Sequence, residues 1–165
     1  MENKALYVLA GYEDETEKNL SAMQEKLYAS GFEGVQTKNI PMHITLGSFP
    51  CEKESELKNQ LEQIAQKTKA FDVTVNHVGI FGGSDVNVLF VAPDINRPLL
   101  DLKENFGESF DWTPHTTLLI DKSDVIHKAV PNVMADFHHF VAKVSVLYLY
   151  EFWPARHILT VHLKG

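Results

Sequence analysis

The chain has 165 residues, which suits one domain or two small lobes that share a core. Its hydrophobic share of 44% and charged share of 22% are ordinary for a globular protein. Fifteen Lys and Arg residues against 22 Asp and Glu give a formal net charge of −7. This charge argues against a basic surface that coats duplex nucleic acid, so duplex DNA is not an expected partner. A local pocket that binds one small anion remains compatible with this net charge.

The single cysteine, Cys51, cannot form an intrachain disulfide, which is typical of a reducing compartment. No run approaches the roughly 18 apolar residues that span a bilayer. The N-terminal segment MENKALYVLAGYEDE carries acidic residues where a signal peptide would continue its apolar run. We therefore expect a cytoplasmic protein with no membrane partner.

Short apolar runs alternate with segments of helical periodicity along the chain. The first half predicts strands at residues 4–10, 43–49 and 71–81, with helices between Asp14 and Gly31 and at residues 52–69. The second half predicts strands at residues 86–91, 115–120, 140–150 and 157–163, with helices at residues 97–106 and within 121–137. Each half thus has the order β-α-β-α-β, and the second half adds one strand.

Local signals predict how three of these helices begin or end. Asp14 is expected to cap the first helix, with Glu17 as its capping-box partner. Pro98 is allowed in the first turn of the third helix. Pro131 is expected to interrupt or end the fourth helix, because proline removes a backbone donor.

One short motif occurs in each half of the chain. Residues 43–46 read HITL and residues 115–118 read HTTL, so both contain His-x-Thr-Leu. Each copy lies at the third predicted element of its half. Because residues i and i+2 of a strand point to the same face, His43 projects with Thr45, and His115 projects with Thr117. Packing of the two halves about a pseudo-two-fold axis would place these four side chains across one cleft.

A phosphodiester suits a site with two imidazoles and two hydroxyls. Phosphoryl transfer needs a base at the attacking oxygen and an acid at the leaving oxygen, and histidine can fill either role near neutral pH. Threonine hydroxyls can donate hydrogen bonds to the non-bridging oxygens. This arrangement does not require a metal ion.

With these motifs the sequence resembles the 2H phosphoesterase superfamily, which includes 2′-5′ RNA ligase-like and cyclic phosphodiesterase proteins. That family is recognised by two His-x-Thr/Ser motifs, each followed by an apolar residue. The resemblance covers nearly the whole chain, because the segments FDVTVNHVGIF, VNVLFV and KVSVLYLYEFWPARHILTVHL follow in the family's order.

The resemblance implies an α+β fold with a central cleft. Two β-α-β-α-β units related by a pseudo-two-fold axis would form mostly antiparallel sheets around that cleft. We expect a single domain over residues 1–165, with lobes at about residues 1–83 and 84–165.

The resemblance also implies metal-independent action on RNA-type or nucleotide phosphodiesters, without a cofactor. His43 and His115 would be catalytic, and Thr45 and Thr117 would bind the substrate phosphate. Activities in the family include opening of 2′,3′-cyclic phosphates, hydrolysis of 2′-5′ linkages, trimming of RNA 3′ ends and reversible 2′-5′ ligation.

The sequence departs from many relatives after the second motif. Leu119, Ile120 and Asp121 follow, where many relatives have a basic or polar residue. Together with the net acidity, this favours a small substrate, such as a nucleotide cyclic phosphate or an RNA 3′ end, over a long polyanionic strand. We expect the protein to act as a monomer.

The other histidines have ordinary structural interpretations. His77 lies in an alternating strand, and the adjacent His138 and His139 would point to opposite faces of a strand, so they could not chelate one metal together. The remaining three show no partner spacing: His127, His157 and His162.

Some cationic and aromatic residues are of types that bind nucleotides, although surface and core roles are the favoured interpretation. The cations are Lys38, Arg97, Lys143 and Arg156. The aromatic residues, which could stack on a base but more often pack a core, are Tyr148, Tyr150, Phe152 and Trp153.

Two alternative functions remain open from the sequence. The first is a non-catalytic protein that uses the cleft to bind a nucleotide or an RNA end. The second is a metal-dependent hydrolase that exploits the eight histidines, although the sequence lacks a His-Glu-x-x-His motif or a comparable ligand cluster.

Overall fold

The computed structural model describes residues 3–165. The strands are β1 (Ala5–Tyr12), β2 (His43–Phe49), β3 (Phe71–Phe81), β4 (Asn87–Pro93), β5 (Thr116–Asp121), β6 (Phe140–Phe152) and β7 (Arg156–His162). The α-helices are α1 (Asp14–Ala29), α2 (Glu54–Lys67), α3 (Arg97–Glu104) and α4 (Ser123–Asp136). A short 3₁₀ turn, Cys51–Lys53, precedes α2. The predicted order of elements is therefore confirmed in both halves.

The strands form one sheet in the order β2-β1-β6-β3-β4-β5, with β7 also paired to β6. All pairs of named strands are antiparallel. The long β6 pairs with β1 along most of its length, whereas its N-terminal end pairs with β3 and its C-terminal part pairs with β7. β6 thus joins the strands of the two halves, and the predicted α+β class with mostly antiparallel strands is confirmed.

One face of this sheet packs against the helices to form the core. Along β1, Leu6, Val8 and Ala10 belong to that core, as the two-residue strand period requires. In α2, the predicted inner stripe of Leu57, Leu61 and Ile64 is buried. The opposite face of the sheet is left to line the cleft.

The beginning of α1 differs from the prediction. The cap position is Glu13, which makes no side-chain cap bond, and Asp14 is already helical. Glu17 does not complete a capping box, because its Oε1 accepts a hydrogen bond from the backbone N–H of Met42 at 3.0 Å. The local signal was overridden by a contact between α1 and the residue before His43.

Pro131 does not interrupt or end α4, contrary to the prediction, because the helix continues to Asp136. Proline frees the carbonyl four residues earlier, which here belongs to His127. Both residues are exposed, so the freed carbonyl lies on the solvent side of the helix. The cost of the missing hydrogen bond is smallest in that position.

Candidate active site

The motifs lie at β2 and β5, which are the two outermost strands in the order β2-β1-β6-β3-β4-β5. These two strands nevertheless contact each other. The sheet is therefore curled until its edges meet. His43 is the first residue of β2, and His115 lies one residue before the start of β5. The curl brings the two predicted motifs to one cleft.

The segment that leads into each motif lies along the strand of the other motif. Before the first motif, the backbone N–H of Val35 donates to the carbonyl of Ile120 at 2.9 Å. Before the second motif, the indole N–H of Trp112 donates to the carbonyl of Thr45 at 3.2 Å. These reciprocal contacts fix β2 relative to β5 and satisfy acceptors of both edge strands.

Both motifs show the predicted alternation of side chains. His43 and Thr45 are half-buried, whereas Ile44 and Leu46 are buried in the core. The second motif repeats this pattern, with His115 and Thr117 half-buried and with Thr116 and Leu118 buried. Each histidine is thus directed away from the core together with its threonine.

The two imidazoles are held in the same way. Nδ1 of His43 contacts the carbonyl of Pro41 at 2.7 Å, and Nδ1 of His115 contacts the carbonyl of Thr113 at 2.9 Å. A carbonyl only accepts, so Nδ1 carries the proton in both rings. The Nε2 atom of each neutral ring is then an unprotonated base, and the backbone two residues earlier sets its direction.

Their surroundings alter both histidine pKa values. Burial lowers the pKa of His43 from its ordinary value of 6.5, the bond to Pro41 raises it, and the positive charge of His115 lowers it further. Burial also lowers the pKa of His115, while its bond to Thr113 raises it. Both imidazoles are therefore less easily protonated than a histidine in water.

Two aromatic rings pack against the imidazole of His115. The His115 ring lies 4.7 Å from the Phe81 ring in an edge-to-face arrangement and 5.3 Å from the Phe90 ring. Phe81 and Phe90 are themselves 4.4 Å apart. This aromatic contact accounts for the burial that lowers the pKa of His115.

A cavity of about 230 Å³ opens beside His43, Thr45 and Thr117. Its other lining residues are Tyr7, Gln24, Gln36, Thr37, Ile40, Pro41, Met42, Ile120, Phe152 and Trp153. The structure therefore brings three of the four predicted site residues to one cavity, while His115 lies just before β5, the strand that contacts β2.

Several cavity residues were not predicted as site residues. Tyr7 lies in β1, Gln24 lies in α1, and Gln36 and Thr37 lie in the segment that leads to His43. The sequence contains one usable signal among them, because Gln24 interrupts the apolar stripe of α1. The remaining residues carry no local pattern, since only the curl of the sheet brings them to the cavity.

The aromatic residues of β6 have two different environments. Phe152 is 8% exposed and packs on Trp153 with ring centroids 4.6 Å apart, and both line the cavity. Tyr148 and Tyr150 pack against each other and do not line it. Only the C-terminal end of this aromatic series is placed to contact a ligand in the cavity.

The cations considered from the sequence are engaged by acidic residues. The ion pairs are Arg97 with Asp101, Lys143 with Asp72, Lys38 with Glu33, and Arg156 with both Glu54 and Glu151. These contacts agree with the surface interpretation of the four cations. Arg156 also connects the β6–β7 hairpin to α2.

Other histidines make separate contacts. Nε2 of His77 lies 2.8 Å from a carboxylate oxygen of Asp94, and Nε2 of His157 lies 2.7 Å from the hydroxyl of Thr160. Within residues 3–165, no three His, Cys, Asp or Glu side chains are grouped so that they could hold a metal ion. In the same part of the chain, no helix is both long and apolar enough to cross a membrane.

Comparison with known proteins agrees with this geometry. A family model described as the 2′-5′ RNA ligase superfamily matches residues 12–152. A Bacillus mycoides (strain KBAB4) protein named "Putative phosphoesterase" is 33% identical over an alignment of 113 positions, and the match covers 61% of this chain and 64% of that relative. The match thus spans slightly less than two thirds of the relative's length.

Solved structures share the fold over nearly the whole chain. Escherichia coli LigT complexed with 3′-AMP is 19% identical, with a TM-score of 0.62 and coverage of 98% of this chain and 99% of LigT. The Thermus thermophilus protein TT0787 is 17% identical, with a TM-score of 0.64 and 98% coverage of both chains. Since the family model covers most of the sequence, this chain belongs to the 2′-5′ RNA ligase superfamily, and the predicted membership of the 2H phosphoesterases is confirmed.

Proposed function

We propose that this protein is a metal-independent phosphodiesterase that cleaves RNA-type or nucleotide phosphodiesters at a 2′,3′-cyclic phosphate or a 2′-5′ linkage. One observation carries the proposal: His43 and His115 are held through Nδ1 at facing strands, each with a threonine two residues later. The two histidines are the proposed catalytic residues, and Thr45 and Thr117 are the proposed phosphate-binding residues. Membership of the superfamily supports phosphoesterase chemistry.

The proposed reaction uses the Nε2 atoms of the two histidines. One Nε2 removes a proton from water or a ribose hydroxyl while that oxygen forms a bond to phosphorus. The other Nε2 donates a proton to the ribose oxygen as the bond between that oxygen and phosphorus breaks. One proton is removed and one is supplied, so the total charge of the histidine pair is unchanged. Each group typically contributes about 10²- to 10⁴-fold to the rate.

Either histidine can act as the base while the other acts as the acid, because both present Nε2 and burial lowers the pKa of both. The two roles exchange in the reverse reaction. The hydroxyls of Thr45 and Thr117 would orient the phosphate and stabilise the charge that develops on its oxygens.

The cavity and the surrounding sequence favour a small substrate. A cavity of about 230 Å³ is large enough for one part of a nucleotide, such as its base. Leu119 and Ile120 extend the second motif with apolar residues, and Ile120 lines the cavity. The crystal complex of LigT holds 3′-AMP, a nucleotide of the kind that opening of a 2′,3′-cyclic phosphate produces. The proposed partner is therefore a nucleotide or an RNA 3′ end.

The setting of the reaction is also part of the proposal. We expect a monomer that processes RNA or recycles nucleotides in the cytoplasm, and the lone Cys51 is compatible with a reducing compartment.

The proposed lobes, at about residues 1–83 and 84–165, would each supply one histidine and one threonine. The central strand β6 pairs with strands of the first half on both of its sides.

A substrate panel in the presence of EDTA tests the proposal. The panel contains 2′,3′-cyclic nucleotides, 2′-5′ dinucleotides and 3′-5′ oligonucleotides, and turnover is followed by separation of products. We expect turnover of at least one of the first two classes with EDTA present, and loss of that turnover in a variant that combines His43→Ala with His115→Ala. The matched control is His77→Ala, which removes an exposed histidine that pairs with Asp94.

Two outcomes would contradict the proposal. Loss of turnover on chelation, with a metal found in the purified protein, would favour a metal-dependent hydrolase. Tight nucleotide binding without turnover, unchanged in the double histidine variant, would favour a non-catalytic binding protein.

A further inference from the structure

Gln24 occupies a position in α1 where packing alone would favour an apolar side chain. The buried residues of this helix follow helical spacing: Thr16, Leu20, Gln24 and Leu27. Gln24 is 8% exposed. Burial of an amide is unfavourable unless its polar atoms find hydrogen-bond partners. The role of Gln24 therefore depends on which groups its amide nitrogen and its amide oxygen contact.

One end of the amide is fixed by the second motif. Nε2 of Gln24 donates to the backbone carbonyl of Leu118, the residue after Thr117, at 3.1 Å. A carbonyl cannot donate, so the NH₂ group must face it and Oε1 must point the other way. Within residues 3–165, no protein donor contacts this Oε1, and it is not an oxygen sealed away from solvent. Gln24 lines the cavity beside His43, and Oε1 is the end of its amide that has no donor among residues 3–165.

The chemistry of an acceptor limits what Gln24 can bind. An ionised phosphodiester offers only acceptor oxygens, so it cannot form a hydrogen bond to Oε1. The partner must be an N–H or O–H group on the neutral part of a substrate. The same cavity is lined by the stacked rings of Phe152 and Trp153, which suit a flat heterocycle. An amino group on a nucleobase satisfies both requirements.

We propose that Gln24 is a specificity-determining residue whose Oε1 accepts a hydrogen bond from the exocyclic amino group of a nucleobase held in this cavity. The inference rests on the proposed function for the identity of the substrate as a nucleotide. Such a hydrogen bond would discriminate between bases with and without an exocyclic amino group. A base without this group leaves the mostly buried Oε1 without a partner, which reduces transition-state binding.

Matched substrates test this proposal in the unaltered protein. The 2′,3′-cyclic phosphates of adenosine and purine riboside differ only in the amino group, as do those of cytidine and 2-pyrimidinone riboside. We expect kcat/KM to be at least about 10-fold lower for the substrate without the amino group in at least one pair. Equal values of kcat/KM within both pairs would overturn the proposal. If both pairs give equal values and methylation of the 5′-hydroxyl of the substrate lowers kcat/KM, the donor is that hydroxyl and not a base amino group, which also overturns the proposal.

A variant then identifies the residue responsible. Gln24→Met keeps the length of the side chain and removes the acceptor, so the ratio within the discriminating pair should fall to about one. The control is Gln60→Met, because Gln60 also donates Nε2 to a backbone carbonyl, that of Asn105 at 3.0 Å, but lies outside the cavity. An unchanged ratio in folded Gln24→Met would overturn the proposal. If this variant does not fold, the comparison of the two substrates decides.

The test separates this inference from the proposed function. If no cyclic phosphate is turned over, the proposed function fails, and calorimetry with the 3′-monophosphates of adenosine and purine riboside still reports on Gln24. An affinity ratio of at least about 10-fold would support the role of Oε1. Equal affinities, or no binding of either nucleotide, would overturn it.

Discussion

The two His-x-Thr-Leu motifs have the same backbone geometry and different surroundings. Both histidines bond through Nδ1 to the carbonyl two residues earlier. His43, however, lines a cavity that contains neutral polar groups, whereas His115 packs against the rings of Phe81 and Phe90. The tripeptide that ends at each histidine sets the direction of the ring, and the neighbouring elements set its environment.

The motif sets the direction of Nε2 in both histidines, whereas the surroundings of each histidine set its pKa. The local geometry makes Nε2 of both histidines available for proton transfer. Burial lowers the pKa of both histidines, and the charge of His115 lowers the pKa of His43 further. The surroundings thus act on each histidine without any change in the residues of its motif.

The largest expected effects come from removing either imidazole. His43→Ala and His115→Ala should each lower kcat/KM by at least about 10²-fold on a 2′,3′-cyclic nucleotide, because each group transfers a proton. The measurement is initial-rate kinetics, with circular dichroism to verify folding. A loss of less than about 10-fold in either variant would contradict the two-histidine reaction.

An activated leaving group sharpens this comparison. A 4-nitrophenyl ester of a nucleoside 3′-phosphate has a leaving oxygen that needs little protonation. On this ester the ribose 2′-hydroxyl attacks, which is the reverse direction of ring opening, so the histidine that is the acid in ring opening acts as the base. The alanine variant of the other histidine should therefore lose much less activity on this ester than on the cyclic nucleotide, whereas the variant of the first should lose at least about 10²-fold on both. The variant that keeps its activity on the ester identifies the base of ring opening, and equal losses in both variants would contradict the division of roles.

The pH dependence of kcat/KM should be bell-shaped. The base must be neutral, so activity falls as the pH drops through its pKa, and the acid must be protonated, so activity falls as the pH rises through its pKa. Burial lowers the pKa values of both His43 and His115 from 6.5, so we expect the maximum below pH 6.5. Rates measured across the pH range should lose one limb in each single histidine variant. A maximum on the alkaline side of 6.5 would contradict the lowered pKa values.

The two threonines should have intermediate effects. Thr45→Val and Thr117→Val keep the β-branched shape and remove the hydroxyl. Hydrogen bonds to a charged group contribute about 1.5–3 kcal/mol, so each variant should lower kcat/KM by about 10- to 100-fold. Thr74→Val in β3 is the control and should keep full activity. Activity equal to that of the control would show that the motif threonines serve only as strand residues.

The smallest expected effects concern the segments that lead into the motifs. Trp112→Phe removes the hydrogen bond to the carbonyl of Thr45, and Tyr28→Phe removes the bond to the hydroxyl of Thr37 in the other segment. Each change should lower the free energy of unfolding by about 1 kcal/mol and reduce kcat/KM less than the threonine variants. Urea denaturation measures the first quantity. Unchanged stability in Trp112→Phe would show that its indole bond does not hold the two strands together.

Most of the fold could be predicted from local patterns. The strand at residues 71–81 was predicted with its observed bounds, and the inner stripe of α2 was predicted residue by residue. The two wrong predictions concern Asp14 and Pro131, where the outcome depended on surroundings. A backbone contact drew Glu17 away from a capping role, and solvent exposure allowed proline inside α4.

The sequence by itself determined the order of the elements, the alternating faces of the motif strands and the identity of the four proposed site residues. These properties follow from residues one to four positions apart, which the chain always keeps close. Tertiary structure alone decided that β2 and β5 meet, that Gln24 and Thr37 line the cavity beside His43, and that burial lowers the pKa of both histidines. Burial and charge act through space, so they depend on elements that are distant in the chain and meet only when the sheet curls.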